Sequence, residues 1–149
     1  MEHDPRSKQA DQLVFSGFLL FLIGLVLGLF VGTMANPRMA LSAHLEGIMN
    51  GMFLVLLGLV WKRLLLSQRL LRLTLWLAVY GTFANLLAVG IAAVTGYGRM
   101  LPIAGGQEGP GPVEGVISFI LVTLSLCMLS VTILVLVGYY KHMRRPVTE

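Results

Sequence analysis

Long apolar runs alternate along this chain with short stretches into which nearly all the charge is gathered. No Asp, Glu, Lys or Arg occurs from 12 to 37, from 73 to 98 or from 115 to 140, three gaps of 26 residues each. A helix needs about 20 apolar residues to cross ~30 Å of hydrocarbon, so each gap is long enough to span a bilayer. The pattern predicts spans over 12–34, 72–96 and 114–140. The second span differs, because only the 15 residues from 47 to 61 are free of charge. To reach full length it must begin near Ser42, giving 42–62, and so take in His44 and Glu46. Ser42 is then the expected N-cap, and Asn36-Pro37 is expected to stop the first helix. Glu46 falls in the first turn, where the helix dipole favours an acid. The next span follows closely on Trp61-Lys62-Arg63, which predicts a tight antiparallel hairpin.

The expected fold is therefore all-α: one membrane domain over 1–149 built as a four-transmembrane-helix bundle. Four unbroken apolar segments cannot close a barrel, which leaves helices as the spanning structure. Composition agrees, since 56% of residues are hydrophobic and 12% charged, against about 25% charged in soluble domains. The first apolar run is longer than a signal-peptide core and long enough to span, so it is expected to be retained. The single cysteine, Cys127, lies in an apolar stretch and permits no disulfide within one chain.

The basic residues are segregated. Arg6 and Lys8 precede the first span, Lys62, Arg63, Arg69 and Arg72 lie between the second and third, and Lys141, Arg144 and Arg145 follow the fourth. Only Arg38 and Arg99 fall on the other side, so the positive-inside rule predicts cytoplasmic termini. The net charge of +4 thus reports orientation, and no basic patch interleaved with aromatics suggests nucleic acid. Small residues recur every four positions: Gly24, Gly28 and Gly32; Gly47 and Gly51; Ala84, Ala88, Ala92 and Gly96. Such stripes let membrane helices approach closely, and three of them exceed what one bundle needs, which predicts oligomerisation. The segment YGRMLPIAGGQEGPGPVEG is too rich in Gly and Pro for regular structure. A loop of this length is expected to cover or line something, with Leu101, Pro102 and Ile103 packed on the helices.

Few polar groups lie within the spans. His44 is the sole histidine away from the termini, and neutral imidazole is both a common metal ligand and the usual proximal ligand of haem. The alternative is a histidine hydrogen-bonded at the membrane interface. Glu46 either moves protons or reaches to water. Asn50 lies about 120° around the helix from His44 and ~9 Å along it, so the two cannot touch one small ligand, although they could line a large flat one. Asn85 reads more readily as a bond between helices than as a substrate contact, and Tyr80 as an interfacial aromatic. No nucleotide-binding glycine loop, serine–histidine–acid set or clustered metal spacing is present.

Residues 34 to 58, MANPRMALSAHLEGIMNGMFLVLLG, resemble the signature region of bacterial hydroxylaminobenzene mutases, which convert hydroxylaminobenzene to 2-aminophenol during nitroarene breakdown. The likeness extends over the four-helix pattern and the Gly/Pro loop. The core AHLEGIMNG is also similar to the AHxGxxxNG-like segment of styrene oxide isomerases, with Leu45-Glu46 between histidine and glycine. Those isomerases are four-helix membrane proteins that assemble as trimers and hold haem b at subunit interfaces. The resemblance implies that His44 is the axial haem ligand and that Asn50 orients substrate; Glu46, as a group assisting departure of oxygen, and Asn85 are the other catalytic candidates. It further implies an aromatic hydroxylamine substrate, a homotrimer and a place in the bacterial inner membrane. The isomerases carry an Asp and a Tyr around an Asn of the third span, where this chain has Gly81 and Val89 around Asn85. That departure argues against epoxide isomerisation, which stays open as an alternative. A membrane haem electron carrier is a second, although such proteins usually supply two histidines. A small multidrug transporter would need an acid in the first span, which has none. A purely structural subunit would leave His44 and Glu46 unexplained.

Overall fold

The computed structural model describes residues 4–145. Four long helices follow one another: α1 (Pro5–Gly28), α2 (Pro37–Val60), α3 (Gln68–Thr95) and α4 (Gly111–Met143). All four are long and apolar enough to cross a membrane, and the described residues contain no strand beyond one isolated bridge. The charge-free gaps mark the apolar section of each helix, while the helix itself runs on into polar sequence. Thus α1 begins at Pro5 rather than 12, because the Asp4 carboxylate accepts the Arg6 N–H at 3.1 Å and Pro5 needs no partner at the first position. It ends at Gly28, and Val31–Thr33 form a short 3-10 turn in place of the helix expected to 34.

The start of α2 corrects the sequence reading most. Ser42 is not its N-cap. Asn36 is, with its side-chain oxygen accepting from Met39 N–H at 3.1 Å, and Pro37 opens the helix. Ser42 lies inside the second turn and donates to Arg38 O at 3.1 Å. Glu46 is consequently the tenth residue of α2, beyond the first turn and outside the reach of the dipole's positive end. With ~1.5 Å of rise per residue, it stands about 4 Å from the midpoint of the helix.

Packing follows chain order: α1 lies on α2, α2 on α3, and α3 on α4, with lesser contact between α1 and α3. The α1–α2 contact is a glycine seam. A Cβ at Gly24 would stand 2.8 Å from Ile48 N, one at Gly47 2.6 Å from Gly24 Cα, and one at Gly51 2.7 Å from Gly17 O. The stripes on the first two spans are therefore used largely within one chain, as are the buried Ala84, Ala88 and Ala92 of α3. They do not by themselves require a second copy. Gly32 is the exception, with no atom within 4 Å of where its Cβ would be.

The two ends of the bundle are tied by polar contacts. At the end carrying the termini, the buried Trp61 Nε1 donates to Gln9 Oε1 at 3.2 Å, Arg6 Nη2 to Leu66 O at 3.2 Å, and Leu65 N–H to Gly138 O at 3.1 Å. At the other end the long loop is more ordered than its composition suggested. Tyr97 and Gln107 form a bridge, Gly96 and Gly105 turn the chain at φ 77°, and Pro102–Ala104 make a 3-10 turn. Glu114, in the first turn of α4, accepts N–H bonds from Gly98 (3.0 Å), Arg99 (3.1 Å) and Gly109 (3.2 Å), closing the loop on itself. Asn36 Nδ2 donates to Ala104 O and Gly105 O, both at 3.1 Å, which anchors the loop to the start of α2. Leu101 packs inward as expected, whereas Ile103 is 96% exposed.

The seam predicts a sharp contrast between glycines. Gly24→Val should cost about 1–3 kcal/mol or more through forced separation of α1 and α2. Gly32→Ala should stay within about 0.5 kcal/mol. Thermal unfolding of the two variants in detergent checks this. Equal losses would contradict the seam.

Candidate functional site

The polar side chains of α2 leave it in two directions. Successive residues turn by about 100°, so His44 and Glu46 lie about 160° apart by the shorter way round. His44 faces α1. Its Nδ1 lies 2.8 Å from Gly24 O, and since a carbonyl only accepts, Nδ1 carries the proton. Nε2 then has a free lone pair, receives no hydrogen bond from the described residues, and is not sealed in the interior. An imidazole with Nδ1–H fixed on a backbone carbonyl and Nε2 open is the arrangement that metal-ligating histidines adopt.

Glu46 faces α3. Its Oε2 accepts from Asn85 Nδ2 at 2.6 Å and from Asn50 Nδ2 at 3.3 Å. All three catalytic candidates thus meet in one cluster across the α2–α3 seam. Asn85 joins the two helices, as the sequence suggested, and does so by holding a carboxyl group. Both amides converge on a single oxygen, so Glu46 Oε1 is left without a hydrogen bond among the described residues while keeping accessible surface. Glu46 does not reach out to water at a helix end. It presents one oxygen, partly buried, near the middle of α2.

His44 does not belong to that cluster within one chain. The arrangement instead yields two polar units on opposite flanks of α2: an imidazole with an open nitrogen beside α1 and a carboxyl group with an open oxygen beside α3. A large cavity among the described residues belongs to neither. It is an open apolar groove of about 820 Å³ along α3, lined by Leu27, Tyr80, Phe83, Leu87, Gly90 and Ile120 among others. Asn85 lies about 160° around α3 from Phe83 and Leu87, and so projects away from it. Tyr80 is a correction to the sequence reading, for it sits mid-helix with its hydroxyl 2.7 Å from Thr123 Oγ1 on α4. Sequence reasoning assigned no role to Glu114, at the entrance of the fourth span, whose buried carboxylate serves the loop. The signal was an acid behind a run of Gly and Pro, where several backbone N–H groups lack partners.

Comparison with known proteins agrees with this architecture. The chain matches the styrene oxide isomerase family over residues 9–140 and belongs to it; it is an isomerase of the membrane. It is 50% identical over 131 residues to hydroxylaminobenzene mutase HabB of Ectopseudomonas oleovorans, covering 87% of this chain and 80% of that protein. To hydroxylaminobenzene mutase HabA of the same organism it is 43% identical over 128 residues, covering 85% and 95%. No solved structure matches the chain significantly.

The geometry of the acid cluster predicts strong coupling between its members. Asn85→Ala should cost about 1–3 kcal/mol, because the carboxyl group loses its shortest hydrogen bond in a low-dielectric seam. In a Glu46→Ala background the same substitution should cost much less, giving a coupling of about 1 kcal/mol. A double-mutant cycle on thermal stability measures it, and additive losses would mean that the two side chains do not meet.

Proposed function

We propose that this chain is a mutase that rearranges hydroxylaminobenzene to 2-aminophenol inside the membrane. The observation that carries the reading is the 50% identity to HabB over most of both chains. The site chemistry supports it. Substrate and product have the same formula: an N–O bond breaks, a C–O bond forms at the ortho carbon, the ortho hydrogen leaves as a proton, and the nitrogen gains one. No reductant or oxidant enters the balance. The demand on the protein is to protonate the departing oxygen and then to take up the ortho proton. A single carboxyl group that changes protonation state can do both. Glu46 Oε1 is the free oxygen for this, and Asn85 and Asn50 hold the other oxygen so that Oε1 keeps one direction. The amide oxygens of Asn50 and Asn85 are available to accept N–H from the substrate and orient its ring.

His44 is the residue that would hold haem b in this proposal. Its Nδ1–H is already committed to Gly24 O, which leaves Nε2 as the ligating atom. The donor set suits a group that brings its own equatorial ligands, since the described residues hold no cluster of three or more His, Cys, Asp or Glu for a bare ion. Bound there, haem iron would supply a Lewis acid for the N–OH group. A group carried on His44 Nε2 would lie on the flank of α2 opposite to Glu46. The reading therefore brings both to one substrate through two copies, with His44 from one and Glu46, Asn50 and Asn85 from the next. This is the proposed reason for a homo-oligomer, the trimer of the resemblance. Nine of eleven basic residues at one end support cytoplasmic termini in a bacterial inner membrane.

The family match favours epoxide isomerisation as a second reading. Against it stand Gly81 and Val89, which offer no acid or phenol around Asn85. Purified protein supplied with hydroxylaminobenzene and no reductant should yield 2-aminophenol, and Glu46→Gln should lower kcat by about 10²–10⁴. Turnover of styrene oxide with none of hydroxylaminobenzene would reverse the order of the two readings. An absent Soret band together with full activity of His44→Ala would remove haem from the mechanism.

A further inference from the structure

His44 is held by more than its hydrogen bond. A Cβ built on Gly28 would stand 2.6 Å from His44 Nδ1, 2.8 Å from Cε1 and 3.2 Å from Cγ, so its three nearest neighbours are all atoms of the imidazole ring. This sets Gly28 apart from the other glycines of the α1–α2 seam. Gly24 lies against the backbone of α2, and Gly17 against that backbone and Val55 Cγ2; their role is to let the two helices approach. Gly28 has one side chain, His44, as its nearest neighbour across the seam. The ring is rigid, and rotating it away from a new methyl group would pull Nδ1 off Gly24 O, 2.8 Å away. One turn of α1 therefore supplies both an acceptor for Nδ1–H at Gly24 and a flat gap for the ring at Gly28.

We propose that Gly24 and Gly28 form a seat that fixes the plane and tautomer of His44, with Gly28 as a positioning residue for the ligand nitrogen Nε2. What the seat is for rests on the reading of His44 as a haem ligand; that the seat exists does not. If the ring turned, Nε2 would point elsewhere, and if Nδ1 lost its acceptor, either nitrogen could carry the proton. Orienting partners of metal-bound histidines commonly change affinity about ten- to a hundredfold when they are removed.

Two measurements on the full-length protein in detergent test the seat. The first is a double-mutant cycle on thermal stability. Gly28→Ala should destabilise the wild type and be harmless in a His44→Ala background, where the ring is gone and Ala favours helix over Gly. Gly17→Ala, the packing control, should lower stability equally in both backgrounds. If Gly28→Ala fails to fold alone, folding of Gly28→Ala/His44→Ala supports the seat, and failure of both overturns it. The second is absorption after haem reconstitution. Gly28→Ala should shift the Soret band and weaken haem retention about ten- to a hundredfold, while folded Gly17→Ala keeps the wild-type band position. An unchanged spectrum and an equal stability loss in both backgrounds would overturn the seat. Wild type that takes up no haem would instead overturn the cofactor reading, and the stability cycle would still decide the seat.

Discussion

A polar side chain in the middle of a membrane-spanning helix must find its hydrogen bonds within the protein, because hydrocarbon offers none. In this chain that constraint falls on α2, which carries His44 and Glu46 close to its midpoint. Each is held at one atom by a different neighbour: Gly24 O on α1 accepts from His44, and Asn85 on α3 donates to Glu46. The two bonds orient α2 about its axis. Turning it to improve one contact would break the other. The glycine seam serves the first, since Gly24 O reaches His44 only where the backbones of α1 and α2 nearly touch. Satisfying the polar groups of α2 thus sets much of the arrangement of the first three helices, while α4 contributes the Glu114 staple and the Thr123 partner of Tyr80.

The same geometry shapes the functional proposal. A carboxyl group anchored through one oxygen keeps the other free and aimed, which suits a group that must give a proton and take one back. An imidazole with its tautomer fixed suits a ligand. Because the two stand on opposite flanks of α2, neither can serve the other's site within one chain. The proposed mutase chemistry needs both at one substrate. Within that proposal the case for oligomerisation rests on this separation, now that the small-residue stripes, which first suggested it, are largely consumed within the chain.

How much of this was legible in the sequence differs by feature. The four helices were, because an uncharged run of 26 residues is long enough to cross hydrocarbon and too apolar to stand in water. Their ends were not, since charge marks where hydrocarbon stops and helices continue past that point. At Asn36-Pro37 the signal was present and assigned to the wrong helix: a capping Asn followed by Pro opens a helix as well as it closes one, and the unoccupied cap of α2 decided in favour of opening. His44, Glu46, Asn50 and Asn85 stood out as rare polar residues in apolar surroundings. That the last three converge could not be read, because it depends on the rotation of α3 against α2. Nor could the role of Gly28, which follows from one side chain of another helix.

In the proposed mutase, the ligand histidine and the catalytic carboxyl group that act on one substrate come from different copies. Co-expression of a tagged His44→Ala chain with a differently tagged Glu46→Ala chain, followed by tandem purification of mixed oligomers, tests this directly. Each variant alone should be inactive. Mixed oligomers should regain a fraction of wild-type turnover of hydroxylaminobenzene, because some of their sites pair an intact His44 with an intact Glu46. Mixed oligomers as inactive as either parent would contradict a site shared between copies.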